Sequence, residues 1–202
     1  MACPVVDAET EHSSSEFMNI SAVIPLYNKE QYIGRAIESV LRQSIVCDEV
    51  VIVDDGSTDS STSEVLRYND SRVRLIQQPN SGEGAARNRG VAESKNELVA
   101  FLDADDEWKP DFLSHIQRLH NNFPDCGAYA TAFEMIEPGG GKSYPLLEGV
   151  PPAPWIGVIP NLLKMMQHGT PFCSSSIAIP KSIYHDLKGF PEGVKQGADK
   201  LL

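Results

Sequence analysis

Short apolar runs alternate with helix-like segments along the first two thirds of the chain. The apolar runs are rich in Val, Ile and Leu, as strands that are buried on both faces are. They cover residues 20–26, 49–53, 73–77 and 98–102. Strands and helices that alternate to about residue 130 predict a mostly parallel sheet with right-handed crossovers.

Helices are predicted between and after these strands. Apolar residues at helical spacing over 32–41 predict the first helix, and the polar segment 54–59 supplies turn and cap residues for the second. The small-residue segment 84–95 predicts a third helix. A fourth is expected to open at Pro110, because proline is favourable in a first helical turn.

The regular alternation ends after Ala132. Residues 137–160 hold three consecutive glycines and six prolines, which predicts a long irregular loop. Beyond it we expect a helix over 161–168, a strand over 175–179 and a short helix over 181–187. The leader, residues 1–18, is acidic and has no basic start or apolar centre, so we interpret it as a disordered tail and not a signal peptide.

Composition narrows the class of protein. A chain of 202 residues with 41% hydrophobic and 22% charged residues is sufficient for one packed domain. With 17 basic and 28 acidic residues the formal charge is −11, which argues against a nucleic-acid partner. The four cysteines form no Cys-x-x-Cys pair, and no apolar run is long enough to cross a membrane. A cytoplasmic location is predicted.

Acidic residues follow two of the predicted strands. Asp54 and Asp55 end the second strand, and Asp103, Asp105 and Asp106 follow the fourth. The carboxyl ends of parallel strands share one edge, where ligands bind. Two carboxylates ~5 Å apart repel by on the order of 3 kcal/mol at an effective dielectric near 20, so a cation is expected among them. Mg²⁺ or Mn²⁺ that also binds a diphosphate is the natural candidate.

Four motifs occur in order at these strand ends. They are SAVIPLYN (21–28), VVIVDDGSTD (50–59), SGEGAARNRG (81–90) and FLDADD (101–106). Together they resemble the signature of family 2 inverting glycosyltransferases of the GT-A fold. The resemblance implies an α/β, Rossmann-like, mostly parallel sheet flanked by helices, with a small acceptor-side subregion. Residues 19–132 would form the nucleotide-sugar-binding half, and 133–202 an acceptor-side half that we expect to be truncated.

The resemblance assigns nucleotide-binding roles to five residues. It implies that Pro25 and Tyr27 line the base pocket, with the Tyr27 ring stacked on the base. Asp55 would accept a hydrogen bond from the base N–H, and Glu30 would contact the ribose. Arg87 would brace the base or the diphosphate.

The resemblance also implies a metal and a base. Asp103 would contact the ribose or the metal, and Asp105 would be the direct ligand of a divalent ion, Mn²⁺ or Mg²⁺, with Asp106 in support. Asp199 aligns with the catalytic base that takes the acceptor proton. Ala198 stands where family members usually have Glu, which weakens the acceptor contact that this Glu provides but leaves the proton acceptor in place.

Simpler interpretations of these residues stay open from sequence. Tyr27 is alternatively a packing aromatic, Asp54 a turn-forming carboxylate and Arg87 an exposed helix charge. The Asp103–Asp106 acids alternatively only cap the next helix, although capping needs one acid. Asp199 is alternatively a residue of a disordered tail.

The sequence therefore predicts a metal-dependent transferase that moves a sugar from a nucleotide diphosphate donor, preferably a uridine one, to a hydroxyl of a glycan or lipid-linked acceptor. Polysaccharide or cell-wall biosynthesis is the expected context. A peripheral position at the inner membrane face is compatible with a lipid-linked acceptor. The alternative is a non-catalytic nucleotide-sugar-binding module or an inactive fragment, because of Ala198 and the early end of the chain.

Overall fold

The computed structural model describes residues 18–137, 139–145, 150, 155–159 and 172–192. The strands are β1 (Ile20–Leu26), β2 (Glu49–Asp54), β3 (Val73–Gln77), β4 (Leu98–Phe101), β5 (Tyr129–Ala130), β6 (Met135–Ile136), β7 (Lys142–Ser143) and β8 (Ile177–Pro180). The helices are α1 (Ile33–Leu41), α2 (Ser61–Val65), α3 (Glu83–Glu93), α4 (Phe112–Asn122) and α5 (Lys181–Asp186). A 3-10 turn, Ser174–Ser176, leads into β8.

Six strands form one sheet in the order β3-β2-β1-β4-β8-β5. Strand β1 pairs in parallel with β2 and β4, and β2 pairs in parallel with β3. Strand β8 runs antiparallel to both β4 and β5. The mostly parallel α/β sheet is confirmed, and the antiparallel insertion of β8 beside β4 is a feature that the sequence pattern did not predict.

Helices cover both faces of the sheet, and β1 and β2 are therefore buried at every position. On one face Ile24 and Ile52 pack with Ile37 of α1 and Leu113 of α4. The opposite face contains the side chains Val23, Val51, Phe101, Ala86 and Val91. Gly90 allows α3 to lie directly on β1, since an added Cβ would collide with Val23 Cγ1.

Several predicted elements differ in detail from the observed ones. Pro110 lies before α4, which begins at Phe112, because Asp111 takes the N-cap position. The predicted strand at 175–179 starts two residues later, since Ser174–Ser176 form the 3-10 turn. The predicted irregular loop at 137–160 contains strand β7, which pairs with β6.

Other predictions fall on residues that the structure does not describe. They are the helix at 161–168 and, apart from Met18, the disordered leader 1–18. Within the described residues, no helix combines the length and the apolar character that a membrane span requires.

Candidate functional site

Three loops meet at the carboxyl edge of the parallel strands. They are the β1 loop (27–32), the β2 loop (55–60) and the β4 loop (102–109). Leu26 is in register with Asp54, so the first two loops leave the sheet side by side. Pro25 is buried in β1, whereas Tyr27, two positions later and just past the end of the strand, is 48% exposed. Half-exposed Tyr27 does not belong to the core, so the packing-aromatic interpretation is wrong.

The β1 and β2 loops are tied to each other by side chains that bond to backbone. The Thr58 amide donates to Asn28 Oδ1 at 2.8 Å, and the Ser60 amide donates to Glu30 Oε2 at 2.8 Å. The Glu30 amide in turn donates to Asp59 Oδ2 at 3.1 Å. Glu30, for which a ribose contact was predicted, thus uses one carboxylate oxygen to hold the β2 loop.

Asp54 forms the turn after β2. Its Oδ1 accepts the Ser57 amide at 2.9 Å and its Oδ2 accepts the Thr62 hydroxyl at 2.5 Å. Burial raises the pKa of Asp54, but the hydrogen bonds from Ser57 and Thr62 outweigh it, so the pKa lies below its ordinary value. The turn-forming interpretation therefore holds for this residue.

Asp55 is 3% exposed and organises the segment that enters α3. Its Oδ1 accepts Gln78 Nε2 at 2.7 Å and the Ser81 amide at 2.9 Å, and its Oδ2 accepts the Gly82 amide at 2.8 Å. Gly82 has a φ of 93°, a conformation that favours glycine. The carboxylate thus fixes one wall of the site, and any base N–H that it accepts would share its oxygens with these three donors.

Arg87 is buried, with 1% of its surface exposed, so the interpretation as an exposed helix charge is wrong. Its Nη2 donates to Asp103 Oδ1 at 2.7 Å, to Glu83 Oε1 at 2.5 Å and to Ser174 Oγ at 3.1 Å. The guanidinium carbon lies 5.0 Å from the centre of the Phe190 ring. Among the described residues, Nε and Nη1 have no hydrogen-bond partner.

Two serines hold two of the predicted aspartates. Ser174 Oγ donates to Asp103 Oδ2 at 2.8 Å, and Ser175 Oγ donates to Asp106 Oδ2 at 2.6 Å. Trp108 Nε1 donates to the Ser175 carbonyl at 2.7 Å, which closes the β4 loop over the 3-10 turn. Burial raises the pKa of Asp106 above its ordinary value. Sequence reasoning missed this role of the serines, and the only signal was a serine run directly before a strand.

Protein cations already lie among the acidic residues. Lys29 Nζ is 2.5 Å from Asp105 Oδ2, and the two side chains are 37% and 44% exposed. The hydrogen bond to Asp105 raises the pKa of Lys29. Arg35 Nη2 also donates to the Asp105 carbonyl at 2.7 Å. Lys29 and Arg87 thus supply positive charge beside Asp105 and Asp103. In the described part of the chain, no three His, Cys, Asp or Glu side chains gather as a metal site. The Asp103–Asp106 acids do not cap α4, whose N-cap residue is Asp111.

The segment that leads toward Asp199 is anchored on α3. Asn88 Oδ1 accepts the Phe190 amide at 2.9 Å, and Asn88 Nδ2 donates to the Phe190 carbonyl at 3.0 Å. Asp199 and Ala198 themselves lie outside the described residues.

Comparison with known proteins agrees with this architecture. The sequence matches the family described as Glycosyl transferase family 2 over residues 21–184. A relative from Nostoc sp., "Uncharacterized glycosyltransferase alr2836", is 47% identical over 102 residues, which are 49% of this chain and 32% of the relative. The chain thus spans about a third of the length of this curated relative.

Two solved structures are similar in fold. TarS 1-349 of S. aureus, in complex with UDP-GlcNAc, has a TM-score of 0.72 and 25% identity, over 91% of this chain and 51% of that chain. Mannosyltransferase PcManGT from Pyrobaculum calidifontis, in complex with GDP-Man and Mn²⁺, has a TM-score of 0.66 and 22% identity, over 100% of this chain and 53% of that chain. The predicted GT-A fold is confirmed. From its ordered motifs, its sheet and the match over residues 21–184, the chain belongs to glycosyl transferase family 2.

Proposed function

We propose that this chain binds a nucleotide diphosphate sugar at the carboxyl edge of β1, β2 and β4 and transfers the sugar, with inversion, to a hydroxyl of a glycan or lipid-linked acceptor. The observation that carries the proposal is the Arg87–Asp103 pair, 2.7 Å apart, in an edge that also holds Asp105 and the half-exposed Tyr27. The UDP-GlcNAc bound to TarS supports a uridine donor as the first choice.

The β1 and β2 loops would recognise the nucleoside. Tyr27, a residue that is 48% exposed, offers an aromatic ring on which a base can stack, and Pro25 lies buried two positions before it. Asp55, which is buried at the start of the β2 loop and already accepts backbone N–H groups, would accept a hydrogen bond from the base N–H. Glu30 would reach the ribose with the carboxylate oxygen that does not bind the Ser60 amide.

The donor atoms at the β4 loop fit a hard divalent ion. Asp105 is half-exposed, and its described side-chain partner is a lysine whose ammonium an ion can replace. Asp103, two positions earlier in the sequence, accepts hydrogen bonds from Arg87 and Ser174, one at each oxygen, and each oxygen keeps a second lone pair. Mg²⁺ or Mn²⁺ is commonly held by one or two carboxylates, with phosphate oxygens and water completing its shell. Asp105 would thus be the main protein ligand and Asp103 a second one. When bound, the ion would neutralise charge that develops on the leaving diphosphate.

The chain's own residues would carry the transfer itself. The acceptor oxygen attacks the anomeric carbon while the bond from that carbon to the diphosphate oxygen breaks on the opposite face. The hydroxyl proton passes to the Asp199 carboxylate, which acts as general base. Arg87 would hold Asp103 and present positive charge on the donor side of the site. The products are the glycosylated acceptor and a nucleoside diphosphate.

Calorimetric titration of UDP, with and without Mn²⁺, tests the donor half of the proposal. We expect Mn²⁺ to tighten UDP binding at least tenfold in the wild-type chain. Asp105→Asn should remove this dependence, because the substitution removes the ligand charge. Glu107→Gln is the matched control, since Glu107 is a similarly exposed carboxylate two residues away that pairs with Arg35. UDP affinity that is absent, or equal with and without Mn²⁺, would contradict the proposal.

Release of UDP from UDP-sugars in the presence of glycan acceptors tests the catalytic half. Asp199→Asn should lower kcat by at least 10²-fold, because a positioned general base contributes about 10²–10⁴-fold. The control Asp186→Asn alters an exposed carboxylate of α5 and should leave kcat unchanged.

A non-catalytic binding module is the second candidate, favoured by Ala198 in place of the usual Glu. Metal-dependent UDP binding without turnover of any UDP-sugar would establish it. Unchanged turnover in Asp199→Asn would instead show that the base assignment is wrong.

A further inference from the structure

Lys29 and Asp105 form an ion pair that is easily opened. Lys29 Nζ is 2.5 Å from Asp105 Oδ2, and among the described residues Asp105 supplies the one carboxylate that pairs with this ammonium. The two side chains are 37% and 44% exposed, so water reaches both charges. A pair as exposed as this one changes an equilibrium by a factor of up to about five, so a competing cation or anion can separate it.

The backbone of Lys29 is fixed, although its ammonium is partly exposed. The Lys29 amide donates to Ser61 Oγ at 2.8 Å. The Lys29 carbonyl accepts the Tyr32 amide at 2.9 Å and the Ile33 amide at 3.0 Å. Because both polar backbone groups are engaged, the side chain can change partner while the β1 loop stays in place.

The two arginines at this edge are held differently. Arg87 is 1% exposed and bonds to three side chains through Nη2, so it is locked in place. Arg35 donates to the Asp105 carbonyl at 2.7 Å and has Glu107 as its own carboxylate partner at 3.4 Å. Within the described residues, Lys29 is thus the cation that both covers the Asp105 carboxylate and is free to leave it.

An ammonium and a divalent ion exclude each other from Asp105 Oδ2, since their positive charges would lie within a few ångströms of each other. In the proposed function Asp105 is the main ligand of the ion, and phosphate oxygens of the donor fill part of the same coordination shell. An ammonium that leaves Oδ2 therefore has diphosphate oxygens close by, and lysine binds phosphate as a point charge.

We propose that Lys29 is a diphosphate-binding residue that changes partner: its ammonium neutralises Asp105 in the donor-free chain and moves to the donor diphosphate when Asp105 takes up the ion. This inference rests on the proposed function and assigns it a further donor contact. The lysine then opposes binding of the ion alone but favours binding of the nucleotide once the ion is in place. Removing Lys29 should therefore change the two affinities in opposite directions.

Three variants of the full chain test the proposal. Lys29→Met removes the ammonium, and Lys29→Arg keeps a positive charge at the same position. Arg35→Met is the matched control, because it removes one positive charge from the same corner without uncovering Asp105 Oδ2. The measurements are Mn²⁺ affinity without nucleotide, by electron paramagnetic resonance, and the affinities of UDP and of uridine at saturating Mn²⁺, by calorimetry. Uridine has the base and ribose but no phosphate.

In Lys29→Met we expect Mn²⁺ alone to bind more tightly, by up to about fivefold, and UDP at saturating Mn²⁺ to bind at least threefold more weakly. Uridine affinity should stay within 1.5-fold of the wild type, to about the precision of the titration. Lys29→Arg and Arg35→Met should both keep UDP affinity within about twofold of the wild type.

Four results would overturn the proposal. Mn²⁺ affinity that does not rise in Lys29→Met would show that the lysine does not cover the ligand oxygen. UDP affinity that stays unchanged or rises would show that the lysine only competes with the ion. An equal loss for uridine would indicate a structural effect on the β1 loop. An equal loss in Lys29→Arg or in Arg35→Met would show that an exchanging charge at position 29 is not the cause.

The proposed function and this inference fail in different ways. A wild-type chain that binds no UDP with Mn²⁺ refutes the proposed function and with it the transfer of Lys29 to the diphosphate. A wild-type chain whose UDP binding depends on Mn²⁺, but whose Lys29→Met variant matches it in both affinities, refutes the role of Lys29 alone.

Discussion

Replacing Arg87 with methionine should both destabilise the chain and weaken donor binding. Methionine keeps most of the length and volume of the side chain but removes its charge and its donors. In the native structure the Arg87 Nη2 group bonds to Asp103, Glu83 and Ser174 at 2.5–3.1 Å, from a side chain that is 1% exposed. Without it, the hydrogen-bond partner that the described residues leave to the Asp103 carboxylate is Ser174, at the second oxygen.

The expected loss in the free energy of unfolding follows from how deeply Arg87 and its partners are buried. Breaking a fully buried ion pair costs about 3–5 kcal/mol, and a hydrogen bond to a charged group contributes about 1.5–3 kcal/mol. The side chains of Asp103 and Glu83 are 26% and 49% exposed, so water replaces part of the lost contact. We therefore expect a loss of about 2–3 kcal/mol in the free energy of unfolding, which lowers Tm by roughly 4–12 °C for a domain of this size.

Urea unfolding and a double-mutant cycle with Asp103→Asn provide the measurement. The cycle should give a coupling energy of about 1–2 kcal/mol, since the two residues are in direct contact. Arg89→Met is the matched control on the same helix, because Arg89 is 48% exposed and pairs with Glu93 one turn away. Its effect should stay within about 0.5 kcal/mol. UDP affinity should fall at least tenfold in Arg87→Met and stay unchanged in Arg89→Met.

Two results would refute this reasoning. A destabilisation of Arg87→Met no larger than that of Arg89→Met would mean that burial of the guanidinium contributes nothing. A coupling energy near zero, with a large single-variant loss, would mean that the effect comes from packing against Phe190 and not from the pair with Asp103.

Three further predictions follow from other parts of the structure. Gly90→Ala should lower the free energy of unfolding by about 1–3 kcal/mol in urea titrations, because its Cβ would collide with Val23 Cγ1 where α3 lies on β1. Burial raises the pKa of the Glu49 carboxyl, but hydrogen bonds from neighbouring groups outweigh burial, so the pKa lies below its ordinary value. The ionised carboxylate therefore contributes to stability above the unfolded pKa of about 4.3, and this contribution is lost as pH falls through the folded pKa. Unfolding midpoints from pH 7 to pH 3 should therefore fall less steeply in Glu49→Gln. Lys29→Met should tighten Mn²⁺ binding by the donor-free chain by up to about fivefold, since a surface pair such as Lys29–Asp105 contributes about 0.2–1 kcal/mol. Titration with Mn²⁺ followed by electron paramagnetic resonance would show no change if the lysine does not compete.

The sequence alone determined the parallel strands β1 to β4, most of the helices and the edge of the sheet that carries the site. Strand β2 is predicted because its apolar residues run without interruption, which suits a strand covered on both faces. Helix α1 is predicted because Ile33, Ala36, Ile37 and Val40 recur at helical spacing, and all four are buried. The placement of Asp55, Asp103 and Asp105 at one edge followed from parallel strand geometry.

Only the tertiary structure decided what each of these acidic groups contacts. Ser174 and Ser175 meet Asp103 and Asp106 because β8 inserts antiparallel beside β4, although about 70 positions separate them along the chain. The burial of Arg87 likewise depends on its distant contact with Ser174. A local pattern of polar and apolar residues indicates which face of a helix or strand is buried. The partner that neutralises a charge is set by contacts between segments far apart in sequence, and such contacts exist only once the sheet has assembled.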